Sequence, residues 1–159
     1  MIRPATPVDV PVILGLIREL ADYEQAPDEV RATEDLLHAA LFAGQPHVWC
    51  HVAEVDGVVV GCAVWFLNFS TWLGRHGIYL EDLYVRREHR GTGLGLELLR
   101  TLARTAAERG YGRVEWWVLD WNEPAIGFYR SLGAVPMDEW TVFRLTGDAL
   151  HELARSGPA

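Results

Sequence analysis

"RREHRGTGLGLELLRTLA", residues 86–103, sets four arginines and three alternating glycines against the start of an apolar helical pattern. A glycine-rich turn leading into a helix lets backbone N–H groups converge on an anion, and the helix dipole adds to the attraction. Gly91, Gly93 and Gly95 remove the Cβ atoms that would block close approach. Arg86, Arg87 and Arg90 carry charge suited to phosphate oxygens. The Rossmann spacing G-x-G-x-x-G is not met, because Leu96 stands where its last glycine would be. The spacing is instead R-x-x-G-x-G, "RGTGLG" at 90–95. The chain has no lysine, which excludes a Walker-type phosphate loop and a lysine Schiff base. Taken alone, the loop reads either as an anion cradle or as a plain connecting turn.

Working outward, "IYLEDLYV" (78–85) is a strand that delivers the chain into this loop, and the helix from about residue 93 to 109 is closed by Gly110. "RVEWWVL" (113–119) reads as a strand buried on both faces. Asn122 caps a short helix, "EPAIGFYRSLG", and a final hairpin is expected from 134–137 and 140–145. Towards the N-terminus, residues 2–5 form a short strand. Thr6, Pro7 and Asp9 open a helix whose apolar positions are Val10, Ile13, Leu14, Ile17, Leu20 and Ala21. Thr33 caps a second helix ending near Gly44. Residues 48–55 and 58–69 form a hairpin around Asp56-Gly57. With Val55 paired to Val58, Cys50 falls opposite Ala63 and Cys62 opposite His51. Strand alternation then puts the cysteines on opposite faces, and no disulfide is expected.

A chain of 159 residues, half of them hydrophobic and seven of them tryptophan, is expected to form one domain over residues 1–155, with 156–159 a disordered tail. The formal net charge of −8 argues against a nucleic-acid partner and is compatible with a cationic substrate. The longest near-apolar run, 57–67, is too short to span a membrane. The N-terminus carries no apolar signal core, so a soluble, cytoplasmic protein is expected. Six histidines and two cysteines show no zinc-like spacing, and no metal is expected.

The loop "RGTGLG" is similar to the coenzyme loop of the GNAT superfamily of N-acetyltransferases. "WNEPAIGFY" (121–129), which follows a strand, resembles the second coenzyme motif of that family. "IRPAT", "YLEDLYV" and the order of elements agree, so the resemblance covers residues 2–145. "LEDLYV", "WNEPAIGFY", "IRELADYE" and Trp140 resemble the branch that acetylates spermidine, spermine and thialysine. It implies an α/β (α+β) GNAT-like domain: a mixed, mostly antiparallel sheet splayed around the coenzyme and flanked by about four helices. Acetyl-CoA is the implied cosubstrate, held by Leu83, Tyr84, Val85, Arg90, Gly91, Thr92, Gly93, Leu94, Gly95, Asn122 and Tyr129. A homodimer is also implied.

Acetyl transfer to an amine needs a neutral nucleophile. An alkylamine with a pKa of about 10.4 is only about one part in a few thousand neutral at pH 7, and a carboxylate can take its proton. Glu81 and Asp82 qualify by type. Regular strand alternation sends them to opposite faces, so they are not expected to form a simple dyad. The resemblance favours Glu81 as base or water relay and Tyr129 as the acid for the leaving thiol, with Asp82 structural or a second cation contact. Glu24, Glu81 and Asp82, with Trp72 and Trp140, are the candidate acceptor contacts. The acceptor classes are a polyamine, a diamine or a lysine-like amino acid. Another amine (an antibiotic, another amino acid or a protein N-terminus) and a coenzyme-binding regulatory module without turnover remain open.

Overall fold

A computed structural model describes residues 1–155 and 157. The expected tail at 156–159 lies almost wholly outside the described residues. Two compact units make up the chain, Met1–Leu119 and Asp120–Ala159.

In the first unit β1 (Ile2–Pro4) leads through a 3-10 turn, Pro7–Asp9, into α1 (Val10–Tyr23), followed by α2 (Glu34–Phe42). The sheet continues with β2 (Val48–Val55), β3 (Val58–Ser70) and β4 (Arg75–Val85), then α3 (Leu94–Glu108) and β5 (Val114–Glu115). The strand order is β1-β2-β3-β4-β5. Every neighbouring pair is antiparallel except the parallel pair β4–β5. The architecture is therefore mixed α/β with an open, mostly antiparallel sheet.

The entry into α1 is fixed by charge as well as by proline. The Asp9 carboxylate accepts from the Thr6 N–H at 2.7 Å and from both terminal nitrogens of Arg3 at 2.7 and 2.9 Å. Those Arg3 contacts, with burial opposing them, hold Asp9 at about 2, below the ordinary carboxylate range. Ile13 and Leu16 of α1 and Leu41 of α2 pack on one sheet face, against Cys50, Val52, Val59, Cys62 and Val64. Leu16, rather than Leu20 or Ala21, carries that contact. The other face, including Ala53, Ala63, Trp65 and Leu80, is buried too. Helix α3 contacts β1 to β4 there and buries Leu98, Leu99, Leu102 and Ala106.

The hairpin register differs from the simple alternation. Val55 pairs with Val58, but a bulge between Ala53 and Glu54 shifts the ladder, so Cys50 meets Val64 and Cys62 meets Val52. One extra residue reverses the parity beyond it. Both cysteines therefore lie on the face covered by α1 and α2, as buried free thiols.

The strand expected at 113–119 is reduced to Val114–Glu115, paired with Ile78 and Tyr79. In the second unit α4 (Glu123–Ser131) is as expected, but neither 134–137 nor 140–145 is in a strand, and α5 (Gly147–Arg155) was not foreseen. The described residues thus hold five α-helices rather than about four. A strand needs a partner for its backbone groups, and side-chain alternation cannot supply one.

Candidate active site

Strand β4 builds the site. Its ladder with β3 pairs Val64 with Asp82 and Trp65 with Leu80, leaving Glu81 as an extra, exposed residue. On its other side β4 is paired, among the described residues, only at Ile78 and Tyr79, so from Leu80 to Val85 that edge has no strand partner among them. The bulge decides which backbone groups face this open edge. The Ile78 N–H donates to the Arg113 carbonyl on the β5 side, whereas the Arg86 N–H donates to the Val60 carbonyl on the β3 side, each at 2.9 Å. In an unbroken strand Arg86 would face the same side as Ile78, because alternate residues share a direction. The extra residue reverses that order, and the Leu83 and Val85 N–H groups turn towards the open edge.

The same bulge removes the premise that kept Glu81 and Asp82 apart, since alternation does not hold across it. Asp82 lies opposite Val64, on the α1 side of the sheet. Burial, then the nearby Glu81 and Glu24 carboxylates, push the Asp82 carboxyl up to about 6. Glu24, at the C-terminal end of α1, is also raised, by burial. No hydrogen bond to the Asp82 carboxyl forms within the described residues. Asp82 is thus a carboxyl poised to exchange a proton near neutral pH, a property the residue letters alone do not carry.

Beyond Val85 the chain makes a 3-10 turn, Arg87–His89, tied by the Thr92 hydroxyl to the His89 carbonyl at 2.6 Å. Gly91 and Gly93 have φ of 76° and 88°, a region closed to most side chains, and Gly93 caps α3. The first α3 amide with an acceptor is Glu97, bonded to the Gly93 carbonyl at 2.9 Å. The N–H groups from Gly91 to Leu96 have no acceptor among the described residues. Gly95 is the informative position. Its backbone is ordinary, and an added Cβ would meet nothing within 4 Å. The fold does not require glycine there, whereas an anion resting on these N–H groups would. The loop therefore fits the pyrophosphate of acetyl-CoA.

Two of the loop arginines are committed elsewhere. Arg86 makes a two-pronged ion pair with Glu19 of α1, Nη2–Oε1 2.9 Å and Nε–Oε1 3.1 Å. Arg90 donates from Nε to the Val85 carbonyl at 2.9 Å. Its guanidinium carbon lies 4.9 Å from the Tyr23 ring centre and 5.4 Å from that of Tyr84. Arg86 and Arg90, expected to offer side-chain charge to phosphate, thus both make contacts within the protein. Glu19 and Tyr23, spaced i, i+4 on α1, are the partners that sequence reading missed; "RELADYE" held the spacing but not the partner.

Trp72 stands at the tip of the β3–β4 hairpin and is 89 % exposed. In the second unit, Asn122 Oδ1 accepts from the Ala125 N–H at 3.4 Å, the expected cap. Tyr129 is half-buried on α4, its ring 5.5 Å from that of Phe128, and Trp140 is exposed. A separate cleft of about 380 Å³, lined by Arg3, His51, Leu94 and Arg104 among others, contains none of the three carboxyls. Among the described residues no group of three His, Cys, Asp or Glu is placed to hold a metal ion, and no helix is long and apolar enough to cross a membrane.

The Acetyltransferase (GNAT) family model matches residues 14–134. A thialysine N-epsilon-acetyltransferase of Bos taurus is 41% identical over 97% of this chain and 96% of its own length. An L-ornithine N5-acetyltransferase of Arabidopsis thaliana is 34% identical over 96% and 86%. The solved structure of an integron cassette protein from the mobile metagenome of V. cholerae superimposes with a TM-score of 0.81, at 29% identity, over 98% of each chain. The family model and these relatives define an acetyltransferase, of a class that uses acetyl-CoA. The chain belongs to the acetyltransferase (GNAT) family.

Proposed function

We propose that the protein moves the acetyl group of acetyl-CoA to the primary amine of a small cationic acceptor, a polyamine, diamine or lysine-like amino acid, by direct attack. The observation that carries this reading is the Glu24, Glu81 and Asp82 group beside the open edge of β4, with Asp82 raised to about 6. The relatives named for thialysine, ornithine and spermidine/spermine acetylation support the same acceptor class.

The thioester supplies an activated acetyl group; the protein's residues bind, orient and move protons. N–H groups from Gly91 to Gly95 hold the pyrophosphate, and the N–H groups of Leu83 and Val85 at the open edge receive the acetyl oxygen as it gains charge. The proton-accepting role passes from Glu81 to Asp82. A carboxyl near 6 is still mostly ionised at neutral pH, yet is a stronger base than an ordinary aspartate. Glu81, on the bulge, holds the acceptor's distal charge or relays the proton through water, with Glu24 as a further cation contact. Tyr129 supplies the proton to the leaving thiol, the role its place in "WNEPAIGFY" implies. Asn122 combines its cap with a coenzyme contact, and Trp72 and Trp140 contribute aromatic faces to the acceptor. Residues 1–155 act as one catalytic domain, in the cytoplasm and as a homodimer; light scattering showing only monomer at micromolar concentration would remove the dimer.

A panel of polyamines, diamines, basic amino acids, aminoglycosides and peptide N-termini, read by thiol release, tests the function. The expected result is preference for a flexible aliphatic diamine or lysine-like amine. Preference for an aminoglycoside or peptide would replace the acceptor class, and acetyl-CoA binding without thiol release for any amine would leave a regulatory module.

A further inference from the structure

We propose that Arg90 is a positioning residue that ties the acceptor end of α1 to the coenzyme strand, and that it acts through its contacts with two tyrosine rings and the Val85 carbonyl rather than as a phosphate ligand. The inference rests on the acetyltransferase reading and extends it to a residue whose family motif would suggest a contact with the coenzyme.

The contacts that Arg90 makes among the described residues point inward. Its N–H bonds to the Arg87 carbonyl at 3.2 Å and its Nε to the Val85 carbonyl at 2.9 Å. Its guanidinium lies over two rings, Tyr23 at the end of α1 and Tyr84 in β4. Arginine can hydrogen-bond through Nε to the Val85 carbonyl and still lie over two rings, whereas a lysine ammonium is a single point charge without that fork.

The position of the stack gives it a function. Tyr23 immediately precedes Glu24, and Tyr84 lies two residues beyond Asp82, on the same face of β4 and packed against the same core. The stack therefore lies between the acceptor carboxyls and the glycine loop. One helical turn earlier, Glu19 holds Arg86, so α1 is fastened to the loop entrance at two points. The Val85 carbonyl also matters. Val85 faces the open edge of β4, where an unpaired carbonyl would repel both an incoming anion and the acetyl oxygen. By accepting Arg90 Nε this carbonyl is neutralised, while the Val85 N–H stays available. Arg90 thus occupies the Val85 carbonyl at the open edge and holds Glu24 at its place beside Asp82.

Four variants separate this role from phosphate binding: Arg90→Lys, Arg90→Gln, Tyr23→Leu and Tyr23→Phe, in the full chain. Each is assayed at saturating acetyl-CoA with a linear aliphatic diamine, with acetyl-CoA Kd measured in parallel and folding followed by melting temperature. Positioning by the stack predicts that Arg90→Lys and Arg90→Gln raise the amine KM by about tenfold, and that Tyr23→Leu does the same. Tyr23→Phe, which keeps the ring face, recovers most of the loss. The Arg90→Lys, Tyr23→Leu double variant should be little worse than either single change, because both remove one stack. Phosphate binding predicts the reverse: Arg90→Lys retains function as a point charge, Arg90→Gln weakens acetyl-CoA, and Tyr23→Leu leaves the amine KM unchanged. Either a functional Arg90→Lys or an unaffected Tyr23→Leu overturns the proposal. If the wild-type protein itself transfers acetyl to no amine, the underlying activity fails instead, and the two failures are distinct.

Discussion

Replacing Asp82 by asparagine should make the protein more stable and less active, in two different pH ranges. The carboxyl titrates at about 6 in the folded chain against an ordinary value of 3.8. Folding therefore disfavours its charged form by about 2 pH units, or roughly 3 kcal/mol. The sign follows from proton linkage. With the folded value raised, the carboxyl's relative stabilising effect is complete below about pH 4 and is lost as pH rises through about 6. The amide introduced by Asp82→Asn would mimic the neutral acid at every pH. Chemical denaturation should find Asp82→Asn close to the wild type near pH 4 and about 2 kcal/mol more stable at pH 7, allowing for partial solvent access to the carboxyl. Activity should move the other way. Losing a general base costs about 10²–10⁴-fold, so kcat/KM should fall most near neutral pH and recover partly as alkali supplies neutral amine. The acid limb near pH 6 should disappear from the variant's profile. An Asp82→Asn protein less stable than the wild type at pH 7, or one that keeps an acid limb near 6, would refute the reasoning.

Gly95→Ala should raise the stability of the ligand-free protein by up to about 1 kcal/mol, because its backbone is helical and its surroundings open. It should also shrink the rise in melting temperature given by acetyl-CoA; an undiminished rise would remove the cradle. Tyr129→Phe should lower kcat by about a hundredfold or more while acetyl-CoA Kd moves less than about threefold; titration calorimetry beside steady-state kinetics checks the pair. Asp9→Asn should cost about 2 kcal/mol at neutral pH, since Arg3 holds that carboxylate at about 2. That difference should close as pH falls through about 2, which acid unfolding of both proteins would show.

Local chemistry made much of this protein legible in the chain itself. Thr6-Pro7 and Asp9, Thr33 and Asn122 announce helix starts because a cap is a contact within three or four residues. Asp56-Gly57 marks the hairpin for the same reason, and "RGTGLG" marks the loop because positive φ and bare N–H groups are properties of neighbouring residues. Two features needed the folded sheet. Bulges at Ala53/Glu54 and at Glu81 each add one residue to a ladder, and one residue reverses the facing of everything beyond it. The first put both cysteines on one face; the second turned the Leu83 and Val85 N–H groups to the open edge. Partners distant in sequence were likewise set only by packing. Glu19 meets Arg86 and Tyr23 meets Arg90 because α1 lies against β4, and burial beside Glu81 and Glu24 is what raises Asp82. Residue type singled out Glu24, Glu81 and Asp82 as candidate carboxyls. Desolvation and charge from remote parts of the chain, which exist only once the sheet and α1 have come together, decided that Asp82 is raised to about 6.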